Sequence, residues 1–234
     1  MVIQLGLLVV GAYLLGSVPS AYLVARFSHG IDLRRYGSGS IGASNLWKST
    51  NRYLALPVIL FDLGKGAIMV WLAYLMGLGV ASQAGVALAA VIGHNWPVFL
   101  RFSGGRGVLA ILGVAIFFPV INNSIPWGAL LGVTIAGVGM FVFHSAPLAV
   151  GIAIALLPLV SWATGEPSAL TLGFLAMFLV TVIRRLTAPR TSLTDSVTVG
   201  QLLINRLLFD RDIGDREAWI HRQPLEQRGR QEKG

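Results

Sequence analysis

The sequence predicts an all-α integral membrane protein of about seven transmembrane helices, with the N-terminus outside and the C-terminus cytoplasmic. Three observations carry this. Of the 234 residues, 55% are hydrophobic and only 12% charged, with a mean hydropathy of +0.72, against about 25% charged in a soluble domain. The apolar residues gather in runs near the ~20 residues that cross a bilayer as a helix, without the period-two alternation of strands. The basic residues fall on alternate loops, as the positive-inside rule requires.

Along the chain the apolar runs cover roughly 2–25, 54–80, 82–100, 107–121, 126–143, 146–163 and 168–183. The first lacks a basic leader and stays apolar too long for a signal peptide, so it reads as a retained first span. Gly85, Ala87, Ala89 and Ala90, with Gly128, Gly132, Gly137 and Gly139, offer small faces for close helix packing. There is no internal repeat. The absence of cysteine excludes disulfides and thiolate metal sites.

Seventeen of the 18 Lys and Arg residues lie in the 26–53 loop, the 99–107 loop or after residue 183; the other is Lys65. The turns near 81, 122–125 and 164–167 carry none. With seven spans, every basic segment falls on one side, the cytoplasmic one. The net charge of +8 and pI near 10.6 then express attraction to anionic lipid and not to nucleic acid. The division is a membrane domain over 1–189 and a basic cytoplasmic tail over 190–234.

Chemistry concentrates in the polar stretch 34–48, RRYGSGSIGASNLWK. Gly37, Gly39 and Gly42 let backbone N–H groups approach an anion, while Ser38, Ser40, Ser44 and Asn45 add short polar donors. Arg34, Arg35, Lys48 and Arg52 supply cations. This is a phosphate-handling loop at a membrane surface. A second, GHNWPVFLRFSGGRGV over 93–108, places Gly104, Gly105, Arg106 and Gly107 before an apolar helix, whose N-terminus suits a second phosphate. His94 precedes it as a proton acceptor or phosphate donor, though a structural hydrogen-bonded role is the commoner one for such a histidine. Asp62 and Lys65 share one helical face inside the second span, equally suited to a structural ion pair or a catalytic role. No cluster has metal-ligand spacing, so neither metal nor other cofactor is expected.

These residues carry a family resemblance. GSVPSAYLVARFSHGIDLRRYGSGSIGASN, FDLGKGAIMV and GHNWPVFLRFSGGRGV resemble, in order, the motifs of the bacterial acyl-phosphate:glycerol-3-phosphate acyltransferases, the PlsY family. The resemblance implies a seven-span enzyme of the inner membrane with a cytoplasmic-face site. It implies acyl phosphate as donor, glycerol 3-phosphate as acceptor, lysophosphatidate and inorganic phosphate as products, membrane lipid as a partner, and no metal. It also implies Ser38 and Lys48 as catalytic residues. The substrate-binding set would be Gly37, Gly39, Ser40, Gly42, Ser44, Asn45, His94, Gly104, Gly105, Arg106 and Gly107.

The chain departs from the pattern in places. Lys48 stands where Arg is common, Arg106 where Lys is usual, Ala110 where Thr is common, and Ser40 replaces an Asn. The family string of the form HRENIxRL after the last span is replaced by TVIRRLTAPRT, with Arg184 and Arg185 but no His or Asn. An inactive paralogue that binds a phospholipid precursor, or serves as a partner subunit, is the alternative reading. A small-anion transporter is disfavoured, because only Asp62 and Lys65 lie inside spans. In the tail, Val199, Leu203 and Leu207 form an i, i+4 stripe suited to an interfacial helix, with Arg206, Arg211 and Arg216 expected near headgroups. Residues beyond about 222 read as a solvated tail.

Overall fold

The computed structural model describes residues 2–189, 191 and 193–220, so the segment from 221 onward, including His221 and Arg222, lies outside the described residues. Eleven α-helices are described: α1 Val2–Ser17, α2 Ser20–His29, α3 Ala43–Ser49, α4 Arg52–Leu75, α5 Val80–Asn95, α6 Val108–Ile121, α7 Trp127–Phe143, α8 Ala146–Ala163, α9 Ser168–Leu186, α10 Val199–Phe209 and α11 Arg216–Ile220. Short 3₁₀ turns occur at Leu33–Arg35, Val98–Leu100 and Thr194–Ser196, and no strand is found among the described residues.

Four helical segments are long and apolar enough to cross a membrane: Val2–His29, Arg52–Leu75, Ala146–Ala163 and Ser168–Leu186. The helices α5, α6 and α7 have 16, 14 and 17 residues, under the ~20 of a full span. The first apolar run is also not one helix. Pro19 lacks an N–H and disfavours helical backbone at Val18, so α1 stops at Ser17 and α2 starts at Ser20. Pro97 likewise closes α5 at Asn95, where the apolar pattern had extended the run to 100.

Helices pack closely through small residues. A side chain at Gly16 would meet the Ala90 carbonyl and one at Gly93 the Tyr13 carbonyl, which sets α1 against α5. Gly66 lies against Ala110 and Gly113 against Leu63, which joins α4 to α6. Gly128 and Gly139 face Leu157 and Ala149, which joins α7 to α8. Gly85 and Gly137, expected in the same role, face open space. The main core gathers Val70, Val91, Ile111, Phe118, Leu157 and Phe174 from α4, α5, α6, α8 and α9. Leu7, Leu60 and Leu172 are exposed, an apolar outer surface suited to lipid.

The tail folds back onto the bundle. Arg206 of α10 donates from Nε to Asp212 Oδ1 (2.8 Å) and from a terminal nitrogen to the Leu186 carbonyl (2.8 Å). It is buried, which corrects its expected place at the headgroups. An arginine with two buried acceptors has no reason to remain in water. Thr191 and Thr194 hydroxyls also donate to Asp212. Burial alone would push the Asp212 carboxyl up, but the hydrogen bonds from Arg206, Thr194 and Thr191 outweigh it and hold the group below the ordinary carboxylate value. Val199, Leu203, Ile204 and Leu207 stay exposed, the apolar stripe expected of an interfacial helix.

Gly113→Ala drives a methyl into the Leu63 carbonyl and is expected to destabilise by about 1–3 kcal/mol through overpacking. Gly85→Ala meets nothing and should stabilise slightly, because alanine favours helix more than glycine does. Thermal unfolding in detergent should therefore shift in opposite directions for the two variants.

Candidate active site

The helix break between α1 and α2 is held by charge. Asp62 and Lys65 of α4 are 2.9 Å apart and each 1% exposed. Lys65 Nζ donates to the carbonyls of Gly16 (3.1 Å) and Val18 (3.3 Å), at the C-terminal end of α1. Ser20 Oγ, at the first residue of α2, donates to Asp62 Oδ1 (2.7 Å). The cation thus meets carbonyls at a negative helix end and the carboxylate lies beside a positive one.

His94, the residue before the last of α5, has Nδ1 4.0 Å from Asp62 Oδ1. It lines a cleft with Ser17, Ser20, Ile41 and Pro97. A side chain on Gly105 would strike His94 Nε2, and one on Gly104 would strike the His94 and Asn95 carbonyls. The Gly105 N–H donates to the His94 carbonyl (3.1 Å). These glycines are therefore required by close approach, and only Gly107 adopts a positive φ (69°) as it opens α6.

The first loop is organised by Asn45. Its amide nitrogen lies within hydrogen-bond reach of the Leu33 (3.1 Å), Tyr36 (3.0 Å) and Ser40 (2.9 Å) carbonyls. Its oxygen accepts from the Ser38 N–H (3.1 Å) and the Ser49 hydroxyl (3.4 Å). The side chain expected at a substrate is 3% exposed, and its donors serve the loop backbone. Gly37, with φ 53°, has no room for a side chain against Asn45. Gly39 (φ 75°) makes the next turn, and Gly42 precedes α3 in extended backbone. Ser40 is half-buried, its N–H on Ser38 Oγ at 3.4 Å.

The loop's cations separate by partner. Arg34 forks onto Asp32 at 2.9 and 2.7 Å, and those hydrogen bonds hold the Asp32 carboxyl below its usual value. Arg52 lies over the Tyr53 ring. Lys48 and Ser44 are exposed, and their side chains have no hydrogen-bond or ion-pair partner among the described residues. Ser38 is exposed as well.

The two loops meet. Ile41 from the first shares the cleft with His94 and Pro97 from the second. Leu109, two residues past Gly107, packs against the cluster of Leu33, Ala43, Leu46 and Val58 under the first loop.

Three features escaped sequence reasoning. Arg184, 4% exposed at the end of α9, donates to the Gly104 (2.8 Å) and Gly105 (3.3 Å) carbonyls. Its place at the end of an apolar run was the available signal. Arg106, aimed by the sequence at a substrate phosphate, donates to Asp210 Oδ1 of the tail at 2.6 Å; nothing in a sequence separation of 104 residues announces that pair. Asn95 is fully buried with neither amide atom partnered among the described residues, beside Gly107.

The chain has relatives among known proteins. The glycerol-3-phosphate acyltransferase family matches residues 6–191. Glycerol-3-phosphate acyltransferase 5 of Dehalococcoides mccartyi is 41% identical over 222 residues, covering 92% of each chain. That match is too long to leave out the whole 190–234 tail. The glycerol-3-phosphate acyltransferase of Thermus thermophilus is 50% identical over 111 residues, 47% of this chain and 55% of its own. The crystal structure of PlsY (YgiH), an integral membrane glycerol 3-phosphate acyltransferase, in its glycerol 3-phosphate form superposes with a TM-score of 0.70 at 28% identity, covering 87% of this chain and 94% of that one. Its lysophosphatidic acid form gives 0.69 at 26% identity, covering 88% and 98%. The chain belongs to the glycerol-3-phosphate acyltransferase family and is a membrane acyltransferase of phospholipid synthesis.

Asn45→Asp keeps the shape of the side chain and replaces its donors by oxygen facing three carbonyls. It is expected to lower kcat/KM at least as much as Asn45→Ala, with protease cleavage appearing in the 34–44 segment while the bundle's unfolding temperature holds. Equal activity of Asn45→Asp and the parent would contradict the organising role.

Proposed function

We propose that this member of the family transfers an acyl group from acyl phosphate to the 1-hydroxyl of glycerol 3-phosphate, on the cytoplasmic face of a seven-helix bundle in the inner membrane. The single observation that carries the site assignment is the meeting of two glycine-rich basic loops, with Ile41 and His94 lining one cleft and Leu109 packed on the Leu33 cluster. Two phosphate substrates need two such loops. The exposed outer surface of leucines offers the acyl chain a lipid route.

Ser38, Ser44, Lys48 and the N–H groups near Gly42 hold one phosphate, while Gly37 and Gly39 turn the backbone beside them. Arg106 with the N–H groups at Gly107 and the start of α6 holds the other, its bond to Asp210 exchanged for or shared with the phosphate. The acceptor's hydroxyl oxygen bonds to the acyl carbon as the bond from that carbon to the phosphate oxygen breaks. The hydroxyl proton leaves to a phosphate oxygen, giving lysophosphatidate and inorganic phosphate. Acyl phosphate is already activated, so fixing the two substrates together supplies much of the rate, and N–H and cationic donors stabilise the developing oxyanion.

The orientation, N-terminus outside and C-terminus cytoplasmic, is supported by the collection of Lys and Arg on one set of loops. The reading that the 190–234 tail forms its own unit is supported by the end of the family match at 191.

Purified protein should turn over palmitoyl phosphate and not palmitoyl-CoA; comparable rates with both would overturn the donor assignment. Ser38→Ala and Lys48→Ala each remove a donor to a charged group, worth about 1.5–3 kcal/mol, and should each lower kcat/KM roughly tenfold to a hundredfold. A cysteine at Ser124 should label from outside the cell membrane and one at Ser103 only from inside, with the reverse pattern inverting the site.

A further inference from the structure

We propose that Arg184 is a positioning residue for the acyl transfer: from the end of α9 it fixes the peptide planes of the 104–107 loop so that their N–H groups face the phosphate. This rests on the reading that the loop holds a substrate phosphate.

The geometry is specific. Arg184 is buried, and its guanidinium reaches two successive carbonyls, those of Gly104 and Gly105. Across a trans peptide the carbonyl and the following N–H point in opposite directions. Holding the Gly104 carbonyl therefore turns the Gly105 N–H away from Arg184, and that N–H is found on the His94 carbonyl. Holding the Gly105 carbonyl turns the Arg106 N–H away by the same rule. The N–H groups of Arg106 and Gly107 have no acceptor among the described residues, and the first turn of α6 adds further unsatisfied donors. These donors form a cradle only while the loop keeps one shape. Three glycines make that shape entropically costly to maintain, and a clamp on two carbonyls maintains it.

The residue type matters. Arginine presents donors in a rigid planar fork, while lysine offers one point charge. Arg185 next to it makes no bond to the loop; it donates to the Leu207 (2.6 Å) and Pro147 (2.7 Å) carbonyls. The junction that lacks the family's His and Asn thus serves the site through Arg184.

The test uses the full-length enzyme, with steady-state kinetics in which acyl phosphate and glycerol 3-phosphate are varied separately. Arg184→Met should raise the KM for one of the two substrates about 10- to 100-fold, the usual weight of a charged hydrogen bond, and leave the other within about twofold. Guanidinium ion should restore part of the loss and ammonium ion none. Arg184→Lys should fall between, and Arg185→Lys should leave both KM values at parental levels. A fall in kcat alone, or unchanged KM values in folded Arg184→Met, overturns the proposal. If Arg184→Met does not fold, the same KM comparison on Arg184→Lys decides. Arg106→Ala separates the two layers. Unchanged KM values there remove the loop's phosphate role, and Arg184's role with it. A shift for Arg106→Ala without one for Arg184 variants removes the proposal alone.

Discussion

The buried Asp62–Lys65 pair is the constraint on which the rest of the architecture depends. A charge inside a membrane helix persists only when it is paired, and here each partner also meets a helix terminus. Together they let the first apolar run break at Val18–Pro19 inside the protein without leaving its carbonyls unsatisfied. Breaking such a pair costs about 3–5 kcal/mol because it strands one charge. The pair is structural first, and it brings His94 within 4.0 Å of the same carboxylate.

The break explains the short helices. α1 and α5 end at the level of this pair, where Ser17 and His94 line the cleft, and α6 begins after Gly107, which lies against Asn95. α4 continues past it for another half of its 24 residues, and α2 packs there through Ala21 and Ala25 with Ala55 and Val58. The result is a recess bounded by both glycine loops, with the first loop supported from beneath by the Leu33 and Leu46 cluster.

Helical class and the polar loops were legible in the sequence, because composition and glycine–serine spacing are local signals. Helix lengths were not: Pro19 and Pro97 override apolar runs that continue through them. The roles of Asn45 and Arg106 were legible only as residue types. An asparagine in a glycine-rich loop reads as a donor, yet the fold places three carbonyls around it. Arg106 reads as a phosphate cation, yet its partner Asp210 arrives from a tail anchored by Arg206 and Asp212. Long-range pairs of this kind leave no trace in spacing.

The most direct measurement is an experimental structure of the enzyme with glycerol 3-phosphate and a non-hydrolysable acyl phosphonate bound together. The account predicts one phosphorus centre against Ser38 and Lys48. The other should lie against the N–H groups of Arg106 and Gly107, with the Arg106–Asp210 bond opened or shared. Both phosphorus centres found away from these two loops, with the Arg106–Asp210 pair intact, would contradict it.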